Sequence, residues 1–199
     1  MPAIITALPR TGLAPLFAGV LRSEARKLAT VRSTTWALLA VVAFNVITAA
    51  LLGALLPGHL SAHQKATIDS VRVSLGGLHL SQIAIGLLGV LAVTSEYSSG
   101  MIRATLAAVP QRRLLLTAKT LVLTATAATT GIAACLAAYL VFQAFLPAGD
   151  AMRTTLADPG VLRAVTGAGL YLTVLALLGC LYAAAALAAG FVLTGRRDA

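Results

Sequence analysis

Trp36-Ala-Leu-Leu-Ala-Val-Val-Ala-Phe-Asn-Val-Ile-Thr-Ala-Ala-Leu-Leu-Gly-Ala-Leu-Leu56 decides the fold class, because these 21 residues carry no charge. A helix that crosses the hydrocarbon core of a bilayer needs about 20 mainly apolar residues. Only Asn45 and Thr48 interrupt the apolar run with polar side chains. The stretch therefore predicts a transmembrane helix.

Three further uncharged stretches of sufficient length follow: Val73–Ser95, Thr120–Leu146 and Ala164–Gly195. Charged residues make up 11% of the chain, against about 25% in soluble domains. We therefore predict an all-α, polytopic transmembrane helix bundle that forms a single membrane domain over residues 1–199. The last stretch is long for one span and short for two. It can kink at Gly179 or Gly190, or end in an apolar tail.

The basic residues predict the orientation of the chain. Segments 1–35, 96–119 and 196–199 hold eleven of the 15 Lys and Arg residues, whereas segments 57–72 and 147–163 hold four. Cytoplasmic loops are the ones enriched in Lys and Arg. Both termini are therefore expected in the cytoplasm, in a multi-pass protein of the plasma membrane. Because the basic residues form no single patch, nucleic acid is not an expected partner.

Residues 13–33 precede the first span and predict an interfacial helix. Apolar residues recur at helical spacing on one face, and the basic Arg22 and Arg26 lie opposite, as in helices that rest on an anionic membrane surface. Glu24 falls within the apolar arc, so we expect it to meet protein, and Lys27 belongs to the same helix. The alternative is that this segment is a cytoplasmic extension of the first span.

The cytoplasmic loop 96–119 carries a second helical pattern. Glu96 and the Ser98-Ser99-Gly100 break come first, and an apolar pattern then runs to Pro110, which ends it. Its members are Met101, Ile102, Thr105, Leu106 and Val109, with Arg103 beside them. A short apolar helix at the membrane edge suits docking into a groove on a partner. The alternative is a connector that follows the membrane surface.

Several chemistries have no support in the sequence. No Lys follows a Gly, so there is no Walker A loop, and none of the six acids lies in the middle of a predicted span, which disfavours proton-driven carriers. Cys135 and Cys180 lie in apolar runs, and His59 and His63 have no further ligand type nearby, so no metal site is predicted. We expect no catalytic residues, no enzyme activity and no cofactor on this chain.

Several polar side chains lie within the predicted spans, and the candidates for lining a pathway are Asn45, His79, Gln82 and Gln143. Such side chains can line a pathway, or they can form hydrogen bonds between helices. Two glycine pairs, Gly86 with Gly89 and Gly167 with Gly169, offer small faces for close helix approach.

Three segments together resemble the actinobacterial branch of the ABC-2 type permeases: Leu21–Trp36, Thr94–Lys119 and Gly160–Tyr171. The loop pattern is the most specific part, with Glu96, Gly100, Arg103, Leu106 and Pro110 in order. Met101 stands where the wider family often has Thr. The family usually has six spans, and four are predicted here, so the resemblance describes a truncated permease.

The resemblance implies the membrane-spanning permease subunit of an ATP-driven exporter. Its partners would be a separate ABC ATPase subunit, which binds the ATP and Mg, and a second permease copy in a homodimer or heterodimer. The helix at 101–109 would be the coupling helix, and the N-terminal helix would be the elbow that leans on the ATPase. The alternative is a non-transporting scaffold or regulatory remnant. The resemblance specifies no substrate.

Overall fold

The computed structural model describes residues 13–98 and 112–197, and within these two ranges every regular element is a helix. In chain order the helices are α1 (Leu13–Thr30), α2 (Arg32–His59), α3 (Ala62–Thr67), α4 (Ser70–Ser74), α5 (Leu78–Ser98), α6 (Arg112–Phe145) and α7 (Val161–Arg197). The predicted all-α fold is confirmed.

The four long helices α2, α5, α6 and α7 form a bundle. Helix α2 packs against α5 and α6, and α7 packs against the same two helices, while α5 and α6 face each other diagonally with little contact. The core between them holds Ile85, Leu88, Leu123, Tyr139 and Leu172, all of which are buried. Burial of these apolar side chains holds the helices together.

The outer surface of the bundle is apolar as well. Three helices are long and apolar enough to cross a membrane: Arg32–His59, Thr117–Phe145 and Val161–Ala186. Large apolar side chains on their outward faces, such as Ile47 and Leu178, are more than half exposed. Water does not tolerate a continuous apolar surface of this kind, but lipid does. The chain is a membrane-embedded helix bundle.

The second predicted span, Val73–Ser95, differs from the structure at its N-terminal end. The short helix α4 ends at Ser74, a turn follows, and α5 begins only at Leu78. A Cβ placed on Gly77 would lie 2.5 Å from the Cα of Asn45, so only glycine allows α2 and the start of α5 to approach so closely. The close contact places the break in the helix beside α2.

The break lies deep in the bundle. Asn45 is the fourteenth of the 28 residues of α2, so α5 starts opposite the middle of that helix. Helix α5 has 21 residues, Leu78–Ser98, which is about 32 Å at 1.5 Å per residue and close to a hydrocarbon core of about 30 Å. Helix α4 and its flanking turns precede α5 in this corner of the bundle, and α4 contacts α2, α6 and α7.

Helix α7 is continuous from Val161 to Arg197, a length of 37 residues. The helix runs unbroken through Gly179 and Gly190, the two residues considered as kink sites. A Cβ on Gly179 would lie 2.5 Å from the carbonyl oxygen of Gly86 in α5. Gly179 thus serves close packing of α7 on α5.

Helix α1 is separate from the first span. The chain leaves helical geometry at Val31, where φ is −79° and ψ is 113°, and α2 begins at the next residue. Val20 of α1 packs with Ala118 of α6, and Phe17 and Leu21 cover this contact. The structure therefore favours a distinct helix over an extension of α2, and the helix ends at Thr30 where the sequence predicted residue 33.

Candidate functional site

The buried carboxylate of Glu24 anchors α1 to the bundle. Its side chain is 5% exposed, and Oε1 accepts a hydrogen bond of 2.6 Å from Nζ of Lys27. Its Oε2 lies 3.9 Å from Nζ of Lys119 in α6. A buried carboxylate is tolerated when it is paired in this way. Glu24 meets protein, as its place in the apolar arc predicted.

Arg26 has a different environment from its neighbours. Arg26 is exposed to the surroundings of the bundle, whereas Lys27 is half-buried and its ammonium group contacts Glu24. Of the three residues predicted for the interfacial helix, Glu24 and Lys27 form the anchor, and Arg26 lies on the outer face of α1.

Asn45 joins α2 to α5 in the centre of the bundle. It is completely buried, and its Nδ2 donates to the carbonyl of Val41 at 3.0 Å and to Oγ of Ser81 at 2.5 Å. The Ser81 hydroxyl donates to the same carbonyl at 3.1 Å. Of the two interpretations of Asn45, these contacts favour a hydrogen bond between helices.

Gln143 fastens the loop between α6 and α7. Its Nε2 donates to Oγ1 of Thr154 at 2.9 Å, and its Oε1 accepts from the Thr154 amide at 3.1 Å. The Tyr139 hydroxyl lies 3.1 Å from the same Thr154 Oγ1. Both ends of the Gln143 amide are thus used, and its contacts favour a structural role over pathway lining.

The two loops at this end of the bundle, predicted to lie outside the cell, are joined by an ion pair. Nζ of Lys65 lies 2.8 Å from Oδ2 of Asp150, and Oδ1 of Asp150 accepts from the Met152 amide at 3.0 Å. The hydrogen bond from Lys65, followed by that from Met152, lowers the pKa of Asp150 below its ordinary value. The carboxylate is therefore held in its charged form.

The break between α4 and α5 leaves a cleft of about 370 Å³ between α4, α5 and α7. We call it the outer cleft, because the charge pattern predicts that this part of the bundle lies toward the outside of the cell. Its walls are Arg72, Leu75, Gly76, Leu78, His79, Gln82 and Tyr171. If the second span were one continuous helix, as predicted, that helix would occupy the space of the cleft. The cleft thus follows from the Gly76-Gly77 turn.

Polar groups meet in the outer cleft. The Tyr171 hydroxyl donates to Oε1 of Gln82 at 3.1 Å, which joins α7 to α5 and turns the amide nitrogen of Gln82 away from the tyrosine. Arg72 and His79 are exposed at the same cleft. Of the four predicted pathway residues, His79 and Gln82 are brought together, and Asn45 and Gln143 are not among the residues that line it.

Sequence reasoning missed Arg72 and Tyr171 as members of this site. Arg72 was counted as a charge of an external loop, and Tyr171 stands in an apolar run far along the chain from Gln82. The spacing of His79 and Gln82, one helical turn apart, was the available signal, because it places both on one face of α5.

The predicted coupling residues Gly100, Ile102, Arg103, Leu106, Val109 and Pro110 lie outside the described residues, and so does the side chain of Glu96. Within residues 13–98 and 112–197, no group of three or more His, Cys, Asp or Glu side chains is placed to hold a metal ion.

Comparison of the chain with protein-family models, with curated proteins and with solved structures gave no match.

Proposed function

We propose that this chain is the membrane-spanning permease subunit of an ABC-2 type exporter. It would cross the plasma membrane several times with both termini in the cytoplasm, and a separate ATPase subunit would bind ATP and Mg. The observation that carries the proposal is the anchored helix α1. It precedes the first span, where the resemblance expects an elbow helix, and Glu24 ties it to α6.

The anchor favours a mechanical role for α1. A helix that only rests on lipid is held there by its apolar face and by basic residues on the opposite face. A buried carboxylate does not strengthen such binding to lipid. The pairing of Glu24 with Lys27 and Lys119 instead fixes α1 relative to α6. A force applied to α1 by a partner would thus reach a spanning helix.

The outer cleft favours transport over a purely structural role. Polar and ionisable groups within a membrane bundle are costly and usually functional. Arg72, His79, Gln82 and Tyr171 gather at an opening of about 370 Å³, within the range of small-molecule sites. A scaffold needs hydrogen bonds such as those of Asn45 and Gln143, but it does not need such an opening.

A second permease copy would complete the exporter. Helix α7 presents Val174, Leu178 and Leu181 outward, each more than half exposed. This face can meet lipid or another copy, so a homodimer or heterodimer is part of the proposal. Crosslinking in native membranes tests it, and a monomer there and in mild detergent argues against it.

Co-purification tests the function itself. The tagged full chain is extracted from its native membranes in mild detergent, and the proteins that accompany it are sequenced. We expect an ATPase subunit with a Walker A loop, and ATP hydrolysis by the purified complex. A chain that purifies with no ATPase from membranes that contain one overturns the exporter and favours the scaffold or regulatory alternative.

A further inference from the structure

We infer that the outer cleft binds the anionic headgroup of an amphiphile and that its tail lies along α5 and α7. The headgroup chemistry is that of a phosphate or a carboxylate. The binding inference depends only on the cleft. Its extension to an exported substrate depends on the proposed function.

The position of the outer cleft suits a headgroup drawn below the membrane surface. Its lower end is the start of α5, where Gly77 contacts Asn45 in the middle of α2. Helix α2 continues from Asn45 to His59, which is about 21 Å at 1.5 Å per residue. The cleft therefore lies within the predicted outer half of the bundle.

The polar lining of the cleft is rich in hydrogen-bond donors. Arg72 brings a guanidinium with five N–H donors, and Gln82 brings an amide nitrogen whose partner oxygen already accepts from Tyr171. His79 adds a ring nitrogen. None of the described residues that line the cleft is acidic. Such a lining favours an anion, and a guanidinium matches the two oxygens of phosphate or carboxylate.

The surface next to the cleft is apolar, which identifies the rest of the ligand. Ile83 lies one turn beyond His79 on α5 and is 68% exposed, and Val174 and Leu178 continue from Tyr171 on α7, each 54% exposed. Residues three and four apart share a helix face. A tail attached to a headgroup in the cleft would lie along these side chains.

Two matched probes test the charge preference. The purified full chain in a maltoside detergent is titrated with dodecyl phosphate or with dodecylphosphocholine, and occupancy is measured by native mass spectrometry. The two probes share a tail and differ in net charge. We expect tighter binding of dodecyl phosphate. Equal affinity for the two probes overturns the inference.

Three variants locate the binding. Arg72→Gln should weaken dodecyl phosphate about tenfold, the usual effect of losing a hydrogen bond to a charged group. Gln82→Glu retains an acceptor for Tyr171 but opposes an anion, so it should weaken the same probe while the fold survives. The control is Arg153→Gln, an exposed residue of the α6–α7 loop that loses the same charge. An equal loss in the control, or no loss in either cleft variant, overturns the inference.

Lipid extraction distinguishes the two sources of the headgroup. If a bilayer phospholipid occupies the cleft, anionic lipid should be enriched in the purified wild type relative to Arg72→Gln. If the ligand is an exported amphiphile, the preference for dodecyl phosphate persists without that enrichment. Since neither assay needs an ATPase, a chain that binds the probe but recruits no ATPase would retain the inference and lose the proposed exporter.

Discussion

The carboxylate of Glu24 in α1 lies 3.9 Å from the ammonium group of Lys119 in α6. The pair explains why an acidic residue stands within the apolar face of an amphipathic helix. Lys27 completes the arrangement from the next turn of α1, at 2.6 Å. The helix that precedes the first span is thus joined to the third predicted span by charge as well as by the packing of Val20 on Ala118.

Glu24→Gln should loosen α1 from the bundle. The variant keeps the shape of the side chain but leaves two lysines beside a neutral group, and we expect a loss of about 1–3 kcal/mol in the free energy of unfolding. Trypsin cleavage after Arg22 and Lys27 should also become faster. Arg26→Gln is the control, because an exposed substitution changes stability by about 0.5 kcal/mol or less. Similar cleavage and stability in the two variants would show that the ion pair does not hold α1.

Gly169→Ala should destabilise the packing of α7 on α6, and Gly167→Ala should not. A Cβ on Gly169 would lie 2.5 Å from the backbone nitrogen of Ile132, whereas a Cβ on Gly167 would have no neighbour within 4 Å. Forcing the helices apart should cost about 1–3 kcal/mol, and alanine in an open helical position should be neutral or slightly stabilising. Unfolding in a graded detergent mixture measures both. Equal stability of the two variants would contradict the close contact.

The glycines show how far the sequence predicts this fold. The lengths of the uncharged apolar stretches and the distribution of charges were sufficient to predict an all-α membrane bundle. The amphipathic pattern of residues 13–33 was sufficient to predict α1. Neither distinguished Gly169, which contacts α6, from Gly167, which does not, because both fit the same small-residue pattern. The break at Gly76-Gly77 was missed because no charge interrupts the stretch there, and only the close approach of Gly77 to Asn45 reveals it.

The candidate site was predictable only in part. His79 and Gln82 share a face of α5, so their proximity follows from spacing alone. Tyr171 belongs to the site because α7 packs beside α5. Arg72 belongs to it because the turn at Gly76-Gly77 places α4 next to the start of α5. Both depend on tertiary contacts that no local pattern specifies.

Acid should weaken the connection between the two loops that Lys65 and Asp150 join. The pKa of Asp150 is lowered in the folded protein by Lys65 and by the Met152 amide, so its contribution to stability is present above the ordinary Asp pKa of about 3.9. That contribution is lost as the pH falls through the lower folded value. Asp150→Asn should therefore melt at a lower temperature than the wild type at pH 7, and the difference should shrink toward pH 3. A difference that is independent of pH would exclude the ion pair as its cause.

Reporter fusions should give a cytoplasmic signal at Gly100 and after Arg197, and an external signal at Ala62 and Asp150. The expectation follows from the excess of Lys and Arg in segments 1–35, 96–119 and 196–199. A phosphatase reporter and a fluorescent reporter at each site give opposite readings and so control for expression. A cytoplasmic signal at Ala62 would overturn the orientation, and the outer cleft would then face the cell interior.

Leu106→Asp should abolish binding of the ATPase while the membrane fold survives. Helical spacing places Leu106 with Ile102 and Val109 on the apolar side of the predicted coupling helix. A charge at a central apolar anchor should cost about 2 kcal/mol or more of binding, as it does at hot spots. The segment lies outside the predicted spans, so insertion should be normal.

The matched control is Ala104→Asp, which introduces the same charge on the opposite side of that helix. Expression and ATPase pull-down are measured together for both variants. Lost pull-down in Leu106→Asp alone supports docking. Unchanged pull-down, equal loss in both variants, or failure to insert favours a connector that only follows the membrane surface.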